Sequence, residues 1–270
     1  MTVKIEKEFG VAKPVFGMIH LGALPGSPRY EGNMDAVLNR ARNDTLSLIE
    51  AGVDALVIEN FNDDPFFTET IAPETIASMT LAAKIIADLA PNTPLGINVL
   101  RNSWQAAMGI AAVIGAKFIR INILTDAMIT DQGLIQGCSA SLLRYRKSLG
   151  AEKVMIFADI ESKHAAPLTK RPRNVIAMDM IERGGADALI VSGLTSSDPP
   201  QLEHLHELRG TTTNTPLIIG SGMSIKTVEL LKFADATIFG FGAKPHLKSP
   251  VDKKMAVDFM NQVREIRKQL

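Results

Sequence analysis

Eight short apolar runs recur along the chain, each separated from the next by a stretch with helical spacing. They are 15–19 (VFGMI), 54–58 (DALVI), 95–99 (LGINV), 117–121 (KFIRI), 154–158 (VMIFA), 188–191 (ALIV), 217–219 (LII) and 236–239 (ATIF). Near-continuous apolar runs of this length, without polar alternation, are the mark of parallel strands covered on both faces. Between them, Leu38, Ala41, Thr45, Leu48 and Ile49 form one helical stripe. Met255, Phe259, Val263, Ile266 and Leu270 form another. Glycines close several helices just before a strand, at Ala51-Gly52-Val53, at Gly115-Ala116 and at Gly184-Gly185-Ala186. Eight strand–helix units predict an α/β fold, a single-domain (β/α)8 TIM barrel over residues 1–270, with residues 1–13 as an N-terminal extension. A doubly wound open sheet would need a G-x-G-x-x-G turn after an early strand. Ile19-His20-Leu21-Gly22-Ala23-Leu24-Pro25-Gly26 is not that turn.

Charge and composition narrow the class of partner. Lysine plus arginine (29) equals aspartate plus glutamate (29), so the chain lacks the basic excess of a nucleic-acid binder. The single cysteine, Cys138, can neither close an intrachain disulfide nor supply a typical structural zinc site. The N-terminal residues lack the apolar core of a secretory signal, and the longest apolar stretch, near Gly109 to Ala116, is too short to span a bilayer. The expectation is a cytoplasmic protein without a transmembrane segment or nucleic-acid partner, with association through the outer helices left open.

In a barrel the site is built from the loops that follow the strands. Three of these are long, at about 21–33, 125–137 and 161–173. Polar residues gather at the strand ends: His20; Glu59 and Asn60; Asn98 and Arg101; Arg120 and Asn122; Asp159, Glu161, Lys163 and His164; Ser192 and Thr195. Glu59 and Asp159 are candidate general bases, because a carboxylate walled by apolar neighbours has its pKa raised. The alternative is a structural ion pair with Arg101 or Arg120. His164 and His20 are candidate proton carriers, although His20 also suits a hydrogen-bonded residue of the barrel mouth. Lys163 is a nucleophile only if desolvated, and otherwise a solvent-facing cation. Asn60, Asn98, Arg101, Arg120, Asn122 and Thr195 are candidate substrate-binding residues.

Gly220-Ser221-Gly222, before a predicted helix near Ser224, and Gly240-Phe241-Gly242 read as a phosphate cradle on the last two loops. The alternative is glycines that only make tight turns. Lys244 is an added cation or a surface lysine. No cofactor is predicted. His20, Glu59, Asp159 and His164 could gather a divalent metal, but no H-x-H motif marks such a site. Cys138 is a thiol activated at a helix start or a small buried hydrophobe. His204 and His206 are expected to face solvent from a helix.

Phe16-Gly17-Met18-Ile19-His20-Leu21 and Leu24-Pro25-Gly26-Ser27-Pro28-Arg29-Tyr30 resemble the opening of the BtpA/SgcQ family. Further matches are Glu59-Asn60-Phe61, Gly96-Ile97-Asn98-Val99-Leu100-Arg101, Ala158-Asp159 with Lys163-His164-Ala165, and Gly220-Ser221-Gly222. The resemblance covers essentially the whole chain. It implies a ribulose-phosphate-binding type of barrel, in a family named for photosystem I biogenesis whose SgcQ-like members are linked with sugar metabolism. It brings no reaction with it.

The leading expectation is an enzyme acting on a small phosphorylated sugar or nucleotide-like substrate, as isomerase, lyase or hydrolase. The alternatives are a non-catalytic assembly or stability factor that binds partners through the barrel exterior, and a sugar-phosphate sensor.

Overall fold

The computed structural model describes residues 4–212 and 214–270. Eight parallel strands close a barrel: β1 (Val15–His20), β2 (Ala55–Glu59), β3 (Leu95–Asn98), β4 (Phe118–Ile121), β7 (Met155–Asp159), β9 (Ala188–Val191), β10 (Leu217–Ile219) and β11 (Ala236–Phe239). Each of the eight apolar runs is one of these strands. The helices α2 (Met34–Ala51), α3 (Pro73–Leu89), α4 (Trp104–Ile114), α5 (Ser139–Ser148), α6 (Arg173–Met178), α7 (Leu202–Thr211) and α8 (Lys253–Arg267) surround it. In α8, Phe259, Val263 and Ile266 are buried as the stripe requires, but Leu270 lies past the helix end and is exposed.

Two cores hold the barrel. One fills the space between strands and helices, with Leu48, Ile58, Ile97, Leu189 and Phe259 among its members. The other fills the barrel interior, where Phe16, Phe118 and Phe157 pack ring against ring; Phe118 and Phe157 stack at 4.4 Å. Gly96 makes room for this stack, because a Cβ there would stand 2.2 Å from the Phe118 ring. The N-terminal extension is part of this core. Its helix α1 (Ile5–Phe9) buries Ile5 and sets Phe9 against Phe16 at 4.8 Å, closing the end where the strands begin. Residues 1–3 of the extension lie outside the described residues.

Aspartates at the corners that lead into strands satisfy the backbone there. Asp54, Asp187 and Asp235 each precede a strand, and each accepts the first free N–H of a neighbouring one, at 2.8 Å: Val15, Ile156 and Leu217. The strand starts would otherwise leave these buried donors unmet. Gly52 and Gly115 take the left-handed conformation at the helix ends. At the third corner only Gly185 does so (φ 71°), while Gly184 stays helical.

Two features differ from the sequence expectation. The second and third long loops are not structureless. They contribute β5 (Ala127–Thr130), β6 (Gly133–Gln136) and β8 (Ala165–Pro167), which pair antiparallel as a small sheet beside the mouth. In addition, no α-helix begins near Ser224. Thr227 Oγ1 accepts from the Ser224 N–H at 2.9 Å and donates to the Gly222 carbonyl at 2.7 Å. Side-chain bonds of this kind compete with helical ones, and a short 3-10 turn (Val228–Phe233) follows instead.

The interior aromatic stack predicts a stability test. Phe157→Ala should cost about 3–5 kcal/mol, the usual range for emptying a buried aromatic site. Urea unfolding of the variant, read as a lowered midpoint at unchanged slope, checks it.

Candidate active site

Strand register builds the mouth. His20 pairs across to Glu59, Glu59 to Asn98, and Asn98 to Arg120. Laterally paired residues share a face, so one polar belt lies above the aromatic stack. Arg120 is its hub and is only 3 % exposed. Its guanidinium grips both oxygens of buried Asp159, with Nη2 3.0 Å from Oδ1 and Nε 3.2 Å from Oδ2. Asn122 donates to Asp159 Oδ2 at 2.7 Å, and Asn98 donates to the Arg120 carbonyl at 3.2 Å. The structural ion pair foreseen as an alternative for Asp159 is therefore present, and its partner is Arg120.

Glu59 stands differently. It is buried, yet its nearest charged or polar contacts are long: His20 Nε2 at 3.5 Å and Arg120 Nη1 at 3.9 Å. Burial pushes its carboxyl pKa up, with Arg120 opposing. His20 packs against the rings of Phe61 and Phe241, each at 4.8 Å, and the two phenylalanines touch each other at 5.3 Å. Lys244 Nζ lies 2.8 Å from His20 Nδ1. A lysine can only donate, so Nδ1 accepts and Nε2 carries the proton that faces Glu59. Burial and then Lys244 hold the imidazole pKa well below its usual value, so His20 is neutral. Lys244 is not a surface lysine: it is buried, which lowers its pKa to about 8.

Lys163 points into the same space. It lines two small cavities with Glu59, Phe61, Arg120 and Ser196, one of about 30 Å³ against Gly220, Ser221, Gly222 and Gly240, the other of about 70 Å³ against Arg101, Asn122 and Ser162. Among the described residues its ammonium makes no hydrogen bond or ion pair. Burial and then Arg120 push its pKa down to about 8. Lys163 is half-buried, withdrawn in part from bulk solvent while lining both cavities.

Several candidates are occupied elsewhere. Asn60 spends its amide on Leu100, accepting its N–H at 2.7 Å, and on Asp63 at 3.1 Å, so it shapes the loop rather than the cavity. Arg101 ties loops together: it donates to Asp131 (2.9 Å), Gln132 (3.2 Å), Ser162 Oγ (3.0 Å) and the backbone carbonyls of Lys163 and His164. Thr195 is exposed and donates to Asp198 at 2.7 Å, while its neighbour Ser196 reaches the mouth. The His164 side chain is exposed, with a left-handed backbone (φ 53°). His20, Glu59, Asp159 and His164 do not converge on a metal position: among the described residues no three His, Cys, Asp or Glu side chains are grouped to hold one.

The glycine loops sit at the mouth, but without the expected helix behind the first. Ser221 Oγ is used internally, accepting from Gly193 N–H at 2.9 Å and donating to the Asp198 carbonyl at 2.7 Å. Gly222 (φ 69°) and Gly242 are required by close packing, since a Cβ would meet Pro199 N or the Met223 carbonyl at 2.0 Å. The N–H groups of Ser221, Gly222, Met223, Phe241 and Gly242 nevertheless donate to no acceptor among the described residues.

A chamber of about 710 Å³ adjoins the mouth and shares Ser162 and His164 with the cavity of about 70 Å³. Met128, Ile160, Ile176 and Leu194 line it together with Lys170 and Arg173. His204 is half-buried against Arg173 and faces this chamber instead of solvent, whereas His206 is exposed. Cys138 is buried, its thiol pKa pushed up to about 12, as suits a small core residue. Sequence reasoning passed over Phe61, Phe241, Ser162 and Ser196. Phe61 adjoins the Glu59-Asn60 pair and Ser196 adjoins Thr195, so adjacency to polar strand ends was the available signal.

The family model for the BtpA family matches residues 11–265. This chain belongs to the BtpA family. The photosystem I biogenesis protein BtpA of Synechocystis sp. is 42% identical over 239 residues, 88% of this chain and 83% of that protein. An uncharacterised protein of Thermococcus kodakarensis is 39% identical over 259 residues, 96% of each chain. Among solved structures, the phosphoribosyl anthranilate isomerase from Thermus thermophilus superposes with a TM-score of 0.57 at 14% identity, covering 94% of this chain and 99% of that one. That likeness is one of fold, and the family's barrel is the TIM barrel. Among the described residues no helix is long and apolar enough to cross a membrane.

The Arg120–Asp159 pair yields a prediction. Asp159→Ala strands a buried guanidinium, and losing one partner of such a pair costs about 3–5 kcal/mol. The melting temperature of this variant should fall well below that of Glu59→Gln, because Glu59 makes no short bond.

Proposed function

We propose that the protein is an enzyme that binds a small phosphorylated sugar or nucleotide-like substrate at the barrel mouth and moves a proton on it through Glu59. The observation that carries this reading is the state of Glu59: a buried carboxyl with a raised pKa, without a short hydrogen bond, facing a cavity it shares with Lys163 and Arg120. A proton-transfer group needs a pKa drawn toward the working pH and a free face toward the reacting atom. The neutral His20, fixed by Lys244 and two phenylalanine rings, orients the carboxylate from behind. Asp159, by contrast, acts as a positioning residue. It holds Arg120, and its oxygens already accept from Arg120 and Asn122.

An anionic substrate is supported by charge. Arg120 and Lys163 line both cavities, Arg101 lines one of them, and Lys244 stands behind His20. The five undonated N–H groups on the glycine loops add acceptor-seeking dipoles. A phosphoribosyl compound in the name of a similarly folded isomerase is consistent with this. The cavity against these loops has only about one water's share of volume. A phosphate therefore needs Ser196 to move outward, and its loop is partly exposed on that side. Proton transfer beside a carbonyl suits isomerase or lyase chemistry. We propose a cytoplasmic setting, in keeping with the single unpaired cysteine.

Thermal unfolding against sugar phosphates, nucleotides and inorganic phosphate tests the site. A ligand at about 100 times its dissociation constant should stabilise by about 2.7 kcal/mol. The shift should vanish in Ser196→Asp, which places a carboxylate beside the cradle without the clash that any side chain at Gly222 would cause. No shift with any phosphorylated compound would favour a partner-binding role of the kind named for the Synechocystis relative.

A further inference from the structure

We propose that Lys163 is a carbonyl-trapping nucleophile, whose amine forms an imine with a small phosphorylated aldehyde or ketone held at the mouth. The inference rests on the phosphorylated-substrate reading above and narrows it to carbonyl compounds. Three features of the geometry support it. Lys163 lines both small cavities, with Glu59 and Arg120 sharing the walls of each. Its ammonium has no ion-pair or hydrogen-bond partner among the described residues, although two carboxylates stand nearby; Arg120 has claimed Asp159. Its backbone is also fixed from outside. Arg101 binds Ser162 Oγ and the carbonyls of Lys163 and His164, three consecutive residues, and so anchors the backbone from which the side chain projects. The lowered pKa, about 8, raises the share of free amine near neutral pH above that of an ordinary lysine.

The steps balance with the groups present. Glu59 enters as the neutral acid: the Nζ lone pair attacks the carbonyl carbon, Glu59 gives its proton to the carbonyl oxygen and takes back the one the nitrogen loses, and so is again protonated. Protonated Glu59 then gives its proton to the resulting hydroxyl, which leaves as water. The nitrogen lone pair forms the C=N bond of a cationic imine and Glu59 is left as carboxylate. That cation accepts the electron pair of an adjacent C–H or C–C bond, and the Glu59 carboxylate is placed to take the proton released. This favours isomerase or lyase chemistry over glycosidic hydrolysis.

The test is borohydride reduction of the full chain incubated separately with glyceraldehyde 3-phosphate and dihydroxyacetone phosphate, followed by peptide mass mapping. The expected result is one adduct per chain on Lys163, forming at least tenfold faster than on exposed Lys153. Its rate should rise as pH increases through about 8, as the ammonium loses its proton. Excess inorganic phosphate should suppress it, Lys163→Arg should abolish it, and Glu59→Gln should slow it by about 10²-fold or more. A melting shift with these compounds but no preferred adduct on Lys163 would overturn the imine while leaving the phosphate site standing. Neither adduct nor shift would overturn both readings.

Discussion

The mouth of this barrel is organised around one buried positive charge. Arg120 projects from β4 into the space above a stack of phenylalanines, where water cannot solvate it. A guanidinium in such a place must be met by a carboxylate and by further hydrogen bonds, or the fold loses several kcal/mol. Asp159 meets it bidentately from the end of the neighbouring strand β7, Asn122 closes the remaining side of that carboxylate, and Asn98 braces the Arg120 backbone. Once Asp159 is committed, Glu59 and Lys163 are left near the same charge without short partners. Arg120 opposes the rise in the Glu59 pKa and reinforces the fall in that of Lys163.

The second buried arginine has a different purpose. Arg101 sits at the end of β3 and reaches two long loops, touching Asp131 and Gln132 in one and Ser162, Lys163 and His164 in the other. The small antiparallel sheet joins the same two loops through backbone bonds. Together they join two insertions into one wall that borders both the polar mouth and the larger chamber. That wall carries Lys163, so the reach of the candidate nucleophile is set by a residue more than sixty positions earlier in the chain.

The barrel was legible in the sequence because its signal is local. An apolar run of four or five residues between glycine or polar corners is enough to mark a strand, and strand ends mark the mouth. The polar belt of His20, Glu59, Asn98 and Arg120 followed from that. What a side chain does once there was not legible, because it depends on partners distant in sequence. Arg101 and Arg120 look alike as strand-end cations, yet one ties loops and the other anchors the site. Lys163 lines the cavities and Thr195 does not, since Arg101 holds the backbone around the first and the second is drawn into a turn with Asp198. The helix expected near Ser224 failed for a short-range reason: Thr227 caps its own turn with side-chain bonds, which apolar spacing does not reveal. The loop sheet was hidden because β5 and β8 are paired across more than thirty residues and have no clear alternation.

The energetics of the mouth bear on whether it serves chemistry. A half-buried lysine without a counter-ion and a buried carboxyl without a short hydrogen bond both cost stability. The obvious relief, a direct Lys163–Glu59 pair, is not formed, although the two residues line the same cavities. A barrel whose exterior alone met a partner would have no use for that arrangement, and its interior could be filled as the layer below is, with phenylalanine, valine and isoleucine. The aromatic layer and the plug formed by α1 supply the stability that lets the layer above remain poorly paired. An anionic, carbonyl-bearing ligand of the kind proposed above would meet both groups at once, its charge facing Arg120 and Lys163 and its carbonyl facing an amine and an acid that hold no short hydrogen bond.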